Sequence, residues 1–393
     1  MRRSMKWVAI AVPAVAIVVV IIILVSISGS NKTANNQMSD ALWSAYLKQD
    51  WLSEGRSITD PSGSITTSEG QGYTLLRAVW QNDQSVFAQT WNWTRDNLQL
   101  GDGLFAWQWG KNANGSYGVI KADNGQNTAA DADSDIALAL IMAGHRWHNS
   151  SYLDAGSAVI KAIWQTEVVN INGEYYLAAD NLEKTASTPY IVVNPSYFAP
   201  YAYRVFSAID PTDNWIALAN DSFKEINAMS QAKLGSSTSD GLPPDWVIVN
   251  RKSGAISKAP QSNLSTNFGF NAFRTIWRIG LDYQWNHTAA ALATLKRFSF
   301  LDQQWNQHKQ LYAIYAHDGQ PVADYSSYAL YGGTLPYFQY VHKSQANQII
   351  NREIRPLFKN GVLKVKLNYY DNNWLWFGLM QYNHQLTNLY GRD

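Results

Sequence analysis

Beyond residue 41, apolar side chains recur three and four positions apart over most of the chain. Ile136, Leu140, Ala143 and Trp147 form one such stripe, and the spacing predicts a helix over 135–148. Leu75, Leu76, Ala78 and Val79 open another, over 73–81. The same periodicity predicts helices over 41–48, 85–97, 152–167, 196–208, 213–229, 270–283, 288–304 and 323–341. Loops rich in Gly, Asn and Asp separate them, and no long stretch alternates strictly with a period of two. The expected fold class is therefore all-α, a helical domain with long connecting loops.

The N-terminus has a different pattern. Trp7 to Val25 is apolar and uncharged, and follows Arg2, Arg3 and Lys6. At about 19 residues the run is long enough to span a bilayer, and its basic flank predicts a cytoplasmic N-terminus with the rest of the chain outside. A cleaved signal peptide is the competing reading, with Ser26 and Ser28 as a small-x-small site. The run exceeds the roughly 7–15 residues of a signal core, so a transmembrane signal anchor is expected, and either reading exports the protein. The expected layout is a cytoplasmic stub and anchor over 1–28, a polar tether over 29–40 and one large domain over 41–393.

Composition narrows the chemistry. The 393 residues are 46% hydrophobic, enough for a large core. A net charge of +1 gives no reason to expect nucleic acid as a partner. With no cysteine, disulfides and thiolate metal sites are excluded. His145 and His148 lie on one helix without an accompanying ligand motif, which points to a helix-end role. There is no His-Glu-x-x-His, no Gly-x-Ser-x-Gly and no phosphate loop. The 17 Trp and 22 Tyr are largely explained by core packing, yet aromatic faces also stack on sugar rings.

Two acidic stretches stand at predicted helix starts. In Thr67-Ser68-Glu69-Gly70-Gln71-Gly72-Tyr73 one carboxylate sits among small residues; the structural alternative is a capped first turn, with Ser68 as the cap. In Ala130-Asp131-Ala132-Asp133-Ser134-Asp135 three carboxylates fall within five positions at the start of an amphipathic helix. Two such clusters facing each other supply what glycosidic cleavage requires, a protonated carboxyl for the leaving group and a carboxylate beside the cationic sugar. Asp133 and Asp135 are expected to cap the helix or pair with a basic residue.

The chain resembles glycoside hydrolase family 8, the bacterial family of endoglucanases, chitosanases, lichenases and xylanases. The resemblance runs from about Trp43 to Trp376. Its motifs are Glu54-Gly55-Arg56 with Asp60-Pro61, Ser68-Glu69-Gly70-Gln71-Gly72-Tyr73, Ala106-Trp107-Gln108-Trp109-Gly110 and Ala130-Asp131-Ala132-Asp133. Asn194-Pro195-Ser196-Tyr197, Pro244-Asp245-Trp246 and Ala272-Phe273-Arg274 continue the series in the family's order. The resemblance implies an (α/α)6 barrel with a substrate groove across one end. It implies an inverting, endo-acting hydrolase of a β-linked polysaccharide that needs no cofactor. Similarity to the cellulases of cellulose-synthesis operons, together with the anchor, points to an exopolysaccharide as substrate.

By the same resemblance Glu69 is the general acid and Asp131 the carboxylate that holds the reacting sugar. Tyr73, Tyr197 and Arg274 fall among the substrate-binding residues. Trp107 and Trp109, two apart in an extended segment, point the same way and form either a sugar-stacking wall or part of the core. At the usual base position, an aspartate followed by Ala-x-Arg, this chain has Asn271, which cannot take a proton at neutral pH. Asn271 is expected to align the water, with Asp240 or Asp245 as base. The expected partners are the polysaccharide and the membrane, with no nucleic acid and the protein a monomer. The rival reading is a polysaccharide-binding or assembly protein that keeps the cleft and has lost its base.

Overall fold

In the computed structural model, residues 36–235 and 238–391 are described. The anchor expected over 7–25 lies outside them, and among the described residues no helix is long and apolar enough to cross a membrane. Among the described residues thirteen α-helices can be followed: α1 (36–49), α2 (Ser68–Gln81), α3 (Gln84–Leu98), α4 (Ala130–Arg146), α5 (Ser150–Thr166), α6 (Pro200–Ile209) and α7 (Trp215–Gln231). They continue as α8 (Phe273–Asn286), α9 (Ala289–Arg297), α10 (Phe300–His308), α11 (Tyr328–Val341), α12 (Lys343–Ile349) and α13 (Tyr369–Tyr382).

Six of these helices are buried along most of their length and neighbour one another in turn: α2 with α4, then α6, α8, α11 and α13. Arg77 of α2 closes the ring by donating to the Asn372 and Asn373 side chains of α13 at 3.1 and 2.7 Å. Its guanidinium also lies 5.0, 4.4 and 4.9 Å from the ring centres of Trp43, Tyr46 and Trp376. Helix α1 thereby covers the seam between first and last inner helices. Helices α3, α5, α7, α9 and α12 pack outside α2, α4, α6, α8 and α11. This mostly helical arrangement is consistent with an (α/α)6 barrel.

The closest inner pair, α11 and α13, depends on glycine. A Cβ on Gly332 would stand 2.1 Å from the Trp374 carbonyl oxygen, and one on Gly378 would stand 2.2 Å from that of Gly332. No side chain fits there, so the two backbones touch.

The structure departs from the expected elements where local pattern is ambiguous. The helix expected from 41 begins at 36, within the stretch read as tether, and it buries Met38. The span 288–304 is two helices, α9 and α10, which part at Phe298 and Ser299. Helices α12 and α13 had no counterpart in the sequence reading. Ser68 is inside α2 rather than its cap; Thr67 caps it, its hydroxyl accepting from the Gly70 N–H at 3.1 Å. The loops also carry short strands, among them β1 (Thr66–Thr67), β2 (Gln108–Lys111) and β3 (Tyr117–Val119), which pair antiparallel in that order.

Candidate active site

The N-termini of the inner helices meet at one end of the barrel, and each brings a side chain with it. Glu69 comes from the first turn of α2, Asp131 from that of α4, and Arg274 from that of α8. Arg274 Nη1 donates to Glu69 Oε2 and to Asp131 Oδ2, both at 2.8 Å, and to the Tyr73 hydroxyl at 3.1 Å. Its Nη2 donates to Asn271 Oδ1 at 2.6 Å. The Tyr197 ring lies against the same guanidinium, 5.4 Å from its centre. Arg274 and Asp131 are 1% and 2% exposed, whereas Glu69 keeps 26% of its side chain open. Only the glutamate of this triad is presented to the cleft.

One cation thus stands between two carboxylates, and ionising both leaves net negative charge in a largely buried site. Burial pushes the Glu69 carboxyl up to about 7; the Arg274 charge opposes the rise and the Asp131 charge adds to it. A carboxyl with that balance holds a proton near neutrality and can donate it, the property a general acid needs.

The motif around Glu69 has a structural reason for each neighbour. Gly70 must be bare, since a Cβ would meet the Ser57 hydroxyl at 2.6 Å and Thr59 at 2.7 Å. Gln71 accepts from the Ser57 N–H at 2.7 Å and donates to the Gly55 carbonyl at 3.1 Å and the Thr94 hydroxyl at 2.8 Å. This ties the Glu54-Gly55-Arg56 loop to α2 and α3. The Ser68 N–H donates to the Trp107 carbonyl at 3.0 Å, which sets the edge of the β1–β2–β3 sheet beside Glu69.

The other sequence candidates are distributed as follows. Trp107 is half-exposed, its indole donating to the Asn124 carbonyl at 2.9 Å. Trp109 is half-buried between Trp93 and Tyr117, with Arg56 over its ring at 5.2 Å. Tyr73 and Tyr197 lie under the site, largely covered, and brace Arg274. Asp245 is buried behind Asn271: its Oδ1 accepts from the Asn271 and Ala272 N–H groups at 2.9 and 2.7 Å, and burial pushes its carboxyl up to about 6. Asp240 does not join the cluster. Its backbone N–H donates to the His317 carbonyl at 3.2 Å and its carboxylate lies over Gly319.

Asp135 meets its basic partner, accepting from both Nη1 and Nη2 of Arg278 at 2.8 Å. Asp133 neither pairs with a base nor caps α4, a correction to the expectation that it would do one or the other. It accepts from the Phe105 N–H at 3.0 Å and faces Glu167, and burial pushes both acids up, Glu167 to about 8. Two carboxyls so placed are stable only while protons are shared between them.

A cavity of about 330 Å³ opens beside Glu69, lined further by Phe270, Asn271, Asn368, Tyr370 and Asp371. A second, of about 560 Å³, shares Asn368 and Tyr370 and reaches Asp50, Asp60 and Lys366. Together they form an open groove beside Glu69 and the N-terminus of α13. The side chains contributed by α13 and its cap were missed in the sequence, although Asn368 followed by Asp371 and an apolar run is a helix-start signal. Among the described residues no three His, Cys, Asp or Glu side chains converge as a metal-ligand set.

The sequence profile of Glycosyl hydrolases family 8 matches residues 10–345. The chain belongs to that family. It is accordingly a glycosidase, an enzyme that hydrolyses glycosidic bonds. It is 31% identical over 273 residues to the endoglucanase of Salmonella typhi, covering 68% of this chain and 69% of that protein. It is 32% identical over 246 residues to the endoglucanase of Escherichia coli K12, covering 61% and 62%. The matched part is thus just over two thirds of the first relative's length and just under two thirds of the second's. Among solved structures, this family 8 chain resembles an endo-1,4-D-glucanase from Vibrio fischeri ES114, with a TM-score of 0.71 and 23% identity over 87% of this chain and 94% of that one. A β-1,3-1,4-glucanase from Paenibacillus sp. X4 gives a TM-score of 0.74 at 21% identity, over 90% and 92%. At such identities the likeness speaks for the fold alone.

Proposed function

We propose that this glycosidase is an endo-acting hydrolase of a β-linked glucan. It works by inversion on an exopolysaccharide, at the outer face of a membrane to which residues 7–25 anchor it. The observation that carries the reading is the shared guanidinium of Arg274 between Glu69 and Asp131, at the wall of an open groove. Glu69 is the acid: it gives its proton to the glycosidic oxygen as that bond breaks. Asp131, whose Oδ2 accepts from Arg274 Nη1, stabilises the positive charge that develops on the sugar ring. Asn271 positions the attacking water. The names of the curated relatives, endoglucanases, support a glucan. An open groove suits an internal segment of a long chain. The anchor and its export rest on the apolar run and its basic flank.

The test is release of reducing ends by the detergent-solubilised full chain and by Glu69→Gln, on mixed-linkage β-glucan, carboxymethylcellulose, chitosan, xylan and the producing cell's own polysaccharide. Hydrolysis that falls about 10²–10⁴-fold with Glu69→Gln supports the reading. Binding to the native polysaccharide without release by the parent points instead to the binding protein that Asn271 suggests. Recovery of the protein from the culture medium rather than the membrane fraction refutes the anchor.

A further inference from the structure

We infer that Asp371 is the general base of this reaction, the group that takes the proton from the attacking water. The inference rests on the hydrolase reading above and fills the place that Asn271 leaves open.

Asn271 cannot fill it, for a geometric as well as a chemical reason. Arg274 Nη2 donates to its Oδ1 at 2.6 Å. A guanidinium has only donors, so the amide oxygen must face Arg274 and the amide nitrogen must face away. What Asn271 presents to the cavity is therefore an N–H group, able to hold a water by its oxygen and unable to accept a proton. Asp245 is also committed: its Oδ1 already accepts two backbone N–H groups, and it does not line the cavity. Asp240 belongs to the loop around His317 and Gly319.

Asp371 is the one carboxylate besides Glu69 in the cavity lining. Water occupies about 30 Å³ per molecule in the liquid. The space of about 330 Å³ therefore admits an attacking water together with part of a sugar ring. The carboxylate is fixed by donors alone. Its Oδ1 accepts from the Ser327 hydroxyl at 2.8 Å and the Ala329 N–H at 2.7 Å, and its Oδ2 accepts from the Asn368 side chain at 2.8 Å. A carboxylate has about four acceptor positions. Three are filled, and the remaining one, on Oδ2, is free for a water. These bonds pin Asp371 between the N-termini of α11 and α13, the kind of rigid support a group needs to act at a fixed distance.

The step balances without any other reactant. The Glu69 carboxyl transfers its proton to the glycosidic oxygen, which leaves with the electrons of the C1–O bond. The water oxygen forms the new C1–O bond on the opposite face of the ring, and its proton passes to Asp371 Oδ2. Solvent then returns the proton to Glu69 and removes the one on Asp371. The product is inverted at C1.

The test uses the full chain in detergent, with mixed-linkage β-glucan as substrate and 2,4-dinitrophenyl β-cellotrioside for rescue. Asp371→Ala is expected to lower kcat about 10²–10⁴-fold with KM little changed. Azide, which needs no base, is expected to restore turnover of the aryl substrate and to yield the α-glycosyl azide. Should Asp371→Ala fold poorly, Asp371→Asn keeps the size and one acceptor oxygen, and the same azide rescue then decides. A rate within a few-fold of the parent, or a loss that azide neither restores nor converts to the α-azide, overturns the inference while hydrolysis lost with Glu69→Gln still stands. A parent inactive on every substrate removes the hydrolase reading, and the inference with it.

Discussion

Removing the negative charge of Asp131 should weaken the proton that Glu69 carries. Both carboxylates touch one nitrogen, Arg274 Nη1, at 2.8 Å, so their contacting oxygens lie within about 5.6 Å of each other. At that distance and an effective dielectric constant near 20, like charges repel by about 3 kcal/mol, or about two pKa units. Glu69 is 26% exposed, and water at its open side screens part of this, leaving about one unit. In Asp131→Asn the repulsion is gone and Arg274 acts on Glu69 alone, so the ionised glutamate gains stability and its pKa falls from about 7. An acid must be protonated to work, so the alkaline limb of kcat should move about one pH unit lower. The assay is kcat on mixed-linkage β-glucan from pH 4 to 9, normalised to each variant's maximum, because Asp131→Asn also lowers the absolute rate. An alkaline limb that stays in place, or moves to higher pH, refutes the shared-cation account of Glu69.

The reverse substitution gives the mirror effect. Asn271→Asp adds a third carboxylate to Arg274, whose Nη2 already meets Asn271 at 2.6 Å, so the alkaline limb should shift upward by a fraction of a unit, and a downward shift contradicts the reasoning. Glu167 sets a pH dependence of stability. Its folded pKa of about 8 lies above the unfolded value near 4.5, so the native state binds the extra proton between those values and stability falls as pH rises through that window. Urea midpoints should drop from pH 5 to pH 8 in the parent and change less in Glu167→Gln, whereas equal parent midpoints would remove the shared-proton pair. Gly378→Ala places a methyl 2.2 Å from the Gly332 carbonyl oxygen, so it should cost at least about 1–3 kcal/mol and lower Tm by several degrees; an unchanged melt argues against the α11–α13 backbone contact.

Much of the local structure was legible because its causes are local. The stripe Ile136, Leu140, Ala143 needs only the 3.6-residue period, whereas the side-chain caps Thr67, Asp83, Asn149 and Asn368 do not stand out from the neighbouring polar residues, as Ser68 beside Thr67 shows. Helix α13 escaped the same reading because it is apolar on all sides. Trp374, Leu375, Trp376, Phe377 and Leu379 are all buried, as a helix inside a ring of helices must be, so no polar face marks its period. The boundary between α9 and α10 escaped because Phe298 and Ser299, where the helix breaks, are ordinary helix residues.

The acidic motifs pointed to Glu69 and Asp131 as candidates, since a carboxyl in a given sequence context is visible without a fold. That one arginine from the far half of the chain stands between them, and that Asp371 shares the cavity with Glu69, was decided by the tertiary structure. Glu69 and Arg274 are 205 residues apart, and no period or cap links them. They meet because six inner helices pack side by side with their N-termini at one end, which gathers first-turn residues from distant segments into one groove. The proton on Glu69 follows from the same assembly, since burial and neighbouring charge, rather than residue type, place it near neutrality.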